Sequence, residues 1–186
     1  MIREPLEVDG AFILHSGRCE DDRGWFSRLF SARDFMAAGV PFAVEQVNCA
    51  LSTRRGTLRG LHYQVTPFAE AKLLMCKSGA LFDVVLDVRE TSPSFGLWSG
   101  ITLEAGDGRL VFVPPGCAHG TLSLAPASEA LYLTSNSYSP AHERIVRWND
   151  PAFGIDWPIT PAVLSDKDRL APNFAMDAQA LAQSIP

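Results

Sequence analysis

The sequence predicts a mainly β protein, a sandwich or barrel of short strands with only a few short helices. Three observations lead there. Between residues 43 and 137 the chain breaks into short β-favouring segments near 43–49, 57–64, 72–78, 81–89, 97–103, 109–113, 118–124 and 129–137, parted by Gly, Pro, Ser and Asp clusters and by no long helical stretch. Within residues 81–89 the alternation is strict: Phe82, Val84, Leu86 and Val88 share one face, and Asp83, Val85 and Asp87 share the other. In 118–124, Leu122 and Leu124 fall on one side while His119, Thr121 and Ser123 fall on the other. Polar side chains that repeatedly face one way describe an interior holding a pocket, not a fully packed core.

The elements follow in order. Residues 11–15 (Ala-Phe-Ile-Leu-His) and 25–30 (Trp-Phe-Ser-Arg-Leu-Phe) read as strands, separated by the turn-rich 20–24. Residues 31–39 read as a short helix: Ser31 caps it, Asp34 suits a capping box, Gly39 ends it, and Pro41 forbids its continuation. The β-rich stretch comes next. Beyond Pro140 the regularity fades into turns at 148–151 and 154–158 that pin aromatic residues against the body, and 177–184 suits a terminal helix. With no linker, repeat or low-complexity run, residues 1–186 form one domain.

Composition excludes several classes. A chain of 186 residues, 47% hydrophobic and 20% charged, has the balance of a folded globular protein. The net charge of −5 argues against nucleic acid as a partner, so an anionic ligand must be held by local cations. Four scattered cysteines, at 19, 49, 76 and 117, form no Cys-x-x-Cys pair and suit reduced thiols of a cytoplasmic protein. The first ten residues lack a signal peptide's apolar run, and nothing approaches the ~20 apolar residues of a membrane span.

The chemistry centres on Gly56-Thr-Leu-Arg-Gly-Leu-His-Tyr-Gln64. His62 can take and return a proton near neutral pH, or it can be a hydrogen-bonded histidine of the fold. Strict alternation puts Leu58, Gly60, His62 and Gln64 on one face and Arg59 on the other; both Arg59 and His62 can serve one pocket only if Gly60 hosts a bulge. Lys72 can hold a phosphate or an enolate oxygen, or be a solvated strand-end charge. Tyr132 and Tyr138 share a parity and could face one cavity or pack as core. Asp168, by itself, passes for a helix-cap or loop carboxylate. His62 and His119 resemble the two histidine-bearing motifs of cupins, yet the first reads His62-Tyr-Gln64 in place of a His-x-His pair and no suitable Glu follows, a poor ligand set for a divalent metal. No Gly-x-Gly-x-x-Gly or P-loop occurs.

Taken together, the blocks resemble the dTDP-4-dehydrorhamnose 3,5-epimerase family, a cofactor-free, cupin-like jelly-roll group acting on nucleotide-linked 4-keto-6-deoxy sugars. The carriers include Asp22-Arg-Gly-Trp-Phe26, Gln46-Val-Asn48, the block at 56–64, Ser92-Pro-Ser-Phe-Gly96, Pro114-Pro-Gly-Cys-Ala-His-Gly120, Tyr138-Ser-Pro140 and Gly154-Ile-Asp-Trp-Pro158. The resemblance implies His62 as general base, Asp168 as its orienting partner and Tyr132 as proton donor on the opposite face. It implies Lys72, Arg59 and His119 around the sugar and its developing enolate, with Arg23, Gln46, Asn48, Glu143 and Lys167 as further substrate contacts. Phe26 and Tyr138 suit nucleobase platforms. No cofactor is expected, the partner is a dTDP-sugar, and a homodimer is expected in which the N-terminal strands help build the partner's sheet.

The residue types suit that chemistry. A keto group at C4 acidifies the hydrogens at C3 and C5, because the carbanion delocalises into an enolate. Such a reaction requires a base on one face of the ring, a cation near the oxygen and an acid on the other face. The chain departs from the family in two places. Arg28 stands where the family usually has Glu, and residues 50–55 are about one residue longer. Competing readings are a 3,4-ketoisomerase of the same group, a nucleotide-sugar-binding protein without turnover, and a metal-dependent cupin oxygenase.

Overall fold

A computed structural model describes residues 2–174. The strands are β1 (Ile2–Pro5), β2 (Phe12–His15), β3 (Arg18–Asp21), β4 (Gly24–Ser27), β5 (Gln46–Ser52), β6 (Leu58–Gln64), β7 (Lys72–Ser78), β8 (Ala80–Asp87), β9 (Trp98–Glu104), β10 (Arg109–Val113), β11 (Cys117–Ser123), β12 (Ser128–Thr134) and β13 (Glu143–Ile145). Two short helices, α1 (Ala32–Ala37) and α2 (Asp166–Arg169), complete the elements. One sheet has the order β1-β2-β10-β7-β12-β5 and the other β13-β6-β11-β8-β9; β3 and β4 form a separate hairpin. Every strand pairing is antiparallel.

Burial explains the layering. Between the sheets, Leu81, Val85, Ile101 and Leu103 meet Ile13, Leu74, Cys76, Val111, Val113 and Ala130. That apolar fill comes mainly from β8 and β9 against β2, β10 and β7. The other half of the gap, between β5, β12 and β7 on one side and β6 and β11 on the other, is the half that stays open. The outward face of the six-stranded sheet is covered by α1 and its flanks: Phe35, Val40 and Phe42 pack on Phe12, Leu73 and Phe112. On the outer face of the other sheet, Val84, Leu86, Val88 and Ala118 lie beneath Phe153, Ile155, Trp157 and Phe174. The even-numbered face of 82–88 is therefore an outer face, buried by the C-terminal stretch, and the odd-numbered face looks inward.

The capped helix matches its signals. Ser31 is extended and its hydroxyl accepts from the Asp34 N–H at 3.3 Å. Other boundaries differ. β4 stops at Ser27, short of residue 30, and β5 starts at Gln46, three residues later than the pattern suggests. β1, β3 and β13 went unforeseen because their side chains are largely exposed or only half-buried, so no apolar alternation marks them. The helix expected at 177–184 lies outside the described residues. Among the described residues no helix is long and apolar enough to cross a membrane.

Candidate active site

A bulge in β6 builds the site. The register against β11 runs His119↔His62 and then Thr121↔Arg59, so Gly60 and Leu61 together oppose the single residue Gly120. The extra residue reverses the alternation, and Arg59 and His62 both line the same cavity. Gly60 has φ +128, and a Cβ there would stand 2.6 Å from the Gly120 Cα and 2.8 Å from the His119 carbonyl oxygen. Only glycine fits so close an approach with that backbone.

His62 acquires its carboxylate from 106 residues away. Its Nε2 lies 2.6 Å from Asp168 Oδ1. A carboxylate only accepts, so Nε2–H donates and Nδ1 keeps the lone pair a base needs. The chain entering β6 fixes that partner: Ala162 N–H and Val163 N–H donate to the Gly56 carbonyl, and Leu58 N–H donates to that of Val163. Ser165 then caps α2 by accepting from the Asp168 N–H at 3.2 Å. The Asp168 side chain is only 4% exposed. Burial opposes its charge, but the bonds from His62 and Ser165 and the nearby Lys167 outweigh this and hold the carboxyl below the ordinary aspartate range.

A cavity of about 530 Å³ is lined by Arg59, His62, Lys72, His119, Tyr132 and Asp168, among others. A second, of about 510 Å³, shares His62, Lys72, Tyr132 and Lys167 with it and adds Gln46, Asn48, Tyr138 and Glu143. The two form one cleft with an inner and an outer part. His62 comes from one sheet and Tyr132 from the other, so the imidazole and the phenol face each other across the inter-sheet gap. Facing sheets stand ~10 Å apart, room for a pyranose between them. Burial raises the Tyr132 phenol above the ordinary tyrosine value, with Glu70 adding to the rise and Arg59 opposing it.

Within the cleft, Lys72 Nζ donates to the His62 carbonyl at 3.3 Å. His119 Nε2 donates to Asp83 Oδ1 at 2.7 Å, a second imidazole–carboxylate pair beside the first. Arg59 is braced by the Ser52 hydroxyl and the Leu51 carbonyl. At the mouth, Lys167 Nζ contacts both Glu143 carboxylate oxygens at 2.9 Å, and the Tyr138 hydroxyl reaches the same carboxylate at 3.3 Å. Gln46 accepts from the Tyr138 N–H at 3.2 Å. Arg23 and Phe26 lie elsewhere. Both stand on the β3–β4 hairpin, where Arg23 pairs with Asp21 and Phe26 is 65% exposed; neither lines the cleft of this chain.

Two carboxylates that pair with cleft side chains, Asp83 and Glu70, escaped the sequence reading as site residues. Asp83 meets His119 only through the pairing of β8 with β11, which no local signal gives. Among the described residues, no three His, Cys, Asp or Glu side chains converge as a metal-holding group.

The sequence pattern of a family described as dTDP-4-dehydrorhamnose 3,5-epimerase matches residues 5–176. The chain belongs to the dTDP-4-dehydrorhamnose 3,5-epimerase family. The dTDP-4-dehydrorhamnose 3,5-epimerase of Pseudomonas aeruginosa is 45% identical over 157 residues, covering 83% of this chain and 86% of its own. The crystal structure of the dTDP-4-dehydrorhamnose 3,5-epimerase of Elizabethkingia anophelis superposes with a TM-score of 0.90 at 34% identity, over 94% of this chain and 96% of that one. A 3′-monoepimerase from Streptomyces bikiniensis, solved with dTDP-quinovose, gives a TM-score of 0.85 at 40% identity, over 91% and 86%. The cupin-like β architecture expected from the sequence is thus the one shared with solved epimerases.

Proposed function

We propose that this epimerase inverts C3, C5 or both in a nucleotide-diphosphate-linked 4-keto-6-deoxyhexose, with dTDP-4-dehydro-6-deoxy-glucose as substrate and dTDP-4-dehydro-rhamnose as product. The observation carrying the proposal is the placement of His62 and Tyr132 on opposing sheets of one cleft, with Asp168 on the imidazole. His62 removes a ring hydrogen next to the carbonyl. Asp168 fixes the imidazole tautomer and favours the imidazolium that results. The electrons move into the C4 oxygen as an enolate, close to Lys72, with Arg59 and His119 completing a positive and hydrogen-bonding surround. A well-aligned donor to such an oxygen is worth ~3–4 kcal/mol. Tyr132 returns a proton from the opposite face, which inverts the centre.

The nucleotide end belongs in the outer part of the cleft. Tyr138, with Gln46 and Asn48 in the same cavity, suits a platform and polar contacts for the base, and Lys167, which pairs with Glu143 at the mouth, is the cation assigned to the diphosphate. Proton transfer between these side chains and the sugar calls for no cofactor. A homodimer is supported by the exposed apolar side chains Trp25 and Phe26 on the hairpin and Val47 and Leu51 on edge strand β5. A second copy is the route by which Arg23 and Phe26 would meet substrate.

Incubation with dTDP-4-keto-6-deoxyglucose in deuterated water tests the reaction: deuterium should enter at C3, C5 or both, and none at either would end the proposal. Tyr132→Phe should keep the exchange driven by His62 while losing net inversion. If that variant epimerises at the wild-type rate, the phenol is not the acid.

A further inference from the structure

Glu70 is a carboxylate of this cleft, largely shielded from solvent, for which the chemistry above has no use. It sits two residues before Lys72, in the segment leading into β7, and lines the outer cavity together with Lys72 and Tyr132. Its side chain is 9% exposed, and its Oε1 lies 3.3 Å from the Lys72 Nζ. Burying a charged group is unfavourable unless a partner compensates it. Here the partner is the very ammonium assigned to the enolate oxygen. Lys72 is held between Glu70 and the His62 carbonyl, so its Nζ is tied to the strand that carries the base.

We propose that Glu70 is a positioning residue of this active site, aiming the Lys72 ammonium and setting a negative charge beside the Tyr132 phenol; the role rests on the epimerase reading given above. A lysine ammonium on four rotatable carbons carries no direction of its own, and a fixed carboxylate supplies one. The same charge acts on the phenol. Burial first and Glu70 next push the Tyr132 hydroxyl up, so it stays protonated, and a donor, into alkaline solution. The charged and titratable groups that share the cavities with the phenol are Glu70 and Lys72 at β7, Arg59, His62 and Tyr63 on β6, His119 on β11, Tyr138 before β13 and Glu143 on it, and Lys167 with Asp168 at α2, while Cys49 acts on it from β5. Of these, Glu70 is the one anion that acts on both the phenol and Lys72.

Glu70→Gln keeps the shape and removes the charge. With dTDP-4-keto-6-deoxyglucose as substrate, net inversion should slow about tenfold, a fraction of the loss seen when an oxyanion donor is deleted outright, while KM stays within about twofold because the nucleotide contacts are untouched. The alkaline limb of the inversion rate should move to lower pH. Phenol titration followed near 295 nm should show the same displacement; with three tyrosines in the chain, subtracting a Tyr132→Phe trace isolates Tyr132. Glu70→Asp should recover part of both effects, and it takes over both readouts should Glu70→Gln not fold. Inversion profiles and phenol titrations that superpose on wild type would overturn the proposal. Absence of deuterium exchange in the wild type would instead remove the epimerase reading, and the titration, which needs no substrate, would still judge whether Glu70 charges the surroundings of Tyr132.

Discussion

Replacing Gly60 by alanine attacks the bulge that brings Arg59 and His62 to the same cavity. The added methyl would meet backbone atoms of β11 at 2.6 and 2.8 Å, so no side-chain rotation can relieve it. Holding a non-glycine residue at φ +128 costs ~1–3 kcal/mol, and displacing packed backbone costs a further ~1–3 kcal/mol. The sum, roughly 2–6 kcal/mol, corresponds to a melting temperature lowered by roughly 4–24 °C at about 2–4 °C per kcal/mol for a chain of this size. Gly96→Ala is the control. Its φ is +80 but a Cβ there meets nothing within 4 Å, so only the conformational cost applies. Thermal melts by circular dichroism, paired with the deuterium-exchange rate, separate the two. The Gly60 variant should also lose ~100-fold in kcat, as an ångström-scale displacement of reacting groups does, whereas the Gly96 variant should keep its rate. A Gly60→Ala protein that melts no lower than Gly96→Ala and turns over normally would refute the role given to the bulge.

Asp168→Asn leaves His62 in place but removes the charge that fixes its tautomer, and kcat should fall ~10²–10⁴-fold with exchange and inversion falling together; loss of inversion alone would contradict the assignment. The carboxyls of Asp168 and Asp87 are both held below the ordinary aspartate range against the cost of burial, Asp168 chiefly by His62 and Asp87 chiefly by Arg89, Ser92 and Ser94. Because their folded values are depressed, the stability they contribute is complete above the unfolded value of ~3.9 and is lost as pH falls through the folded values. Urea midpoints should therefore hold steady from about pH 7 to 5 and drop below pH ~4, and Asp87→Asn should be less stable at neutral pH with a flatter acid decline. Lys167→Ala breaks an ion pair at the cleft mouth whose lysine is about half exposed, worth ~1 kcal/mol or less, so its melting point should shift by only a few degrees, while the KM for the nucleotide sugar rises about tenfold if Lys167 meets the diphosphate.

What the sequence disclosed depended on how local each signal was. Alternation in 81–89 identified β8 and its two faces, because period-two burial is written in adjacent residues. The glycine at 60 could be singled out because two useful side chains of opposite parity demanded a bulge between them. The helix at 31 was readable from its cap. Short exposed strands such as β1 and β3 carry no such mark. The identity of carboxylate partners was likewise hidden: Asp168 reaches His62 through a cap and a backbone tether at the start of β6, and Asp83 reaches His119 only through the pairing of neighbouring strands. The family resemblance supplied the first of these pairs; nothing supplied Glu70, whose meaning appears only once it is seen packed against Lys72. Arg23 and Phe26 show the opposite case, residues named from a motif that stand outside the cleft of their own chain.

The separation of 106 residues between His62, the proposed base, and its carboxylate has a consequence for how the protein comes into being. At ~5–20 residues per second of synthesis, roughly 5–20 s pass between the emergence of His62 and that of Asp168. Both sheets can be laid down in that interval, yet the imidazole still lacks its counter-charge. A growing or clipped chain that stops short of α2 would thus lack the carboxylate proposed to orient His62, so that the proposed chemistry waits on synthesis past residue 168.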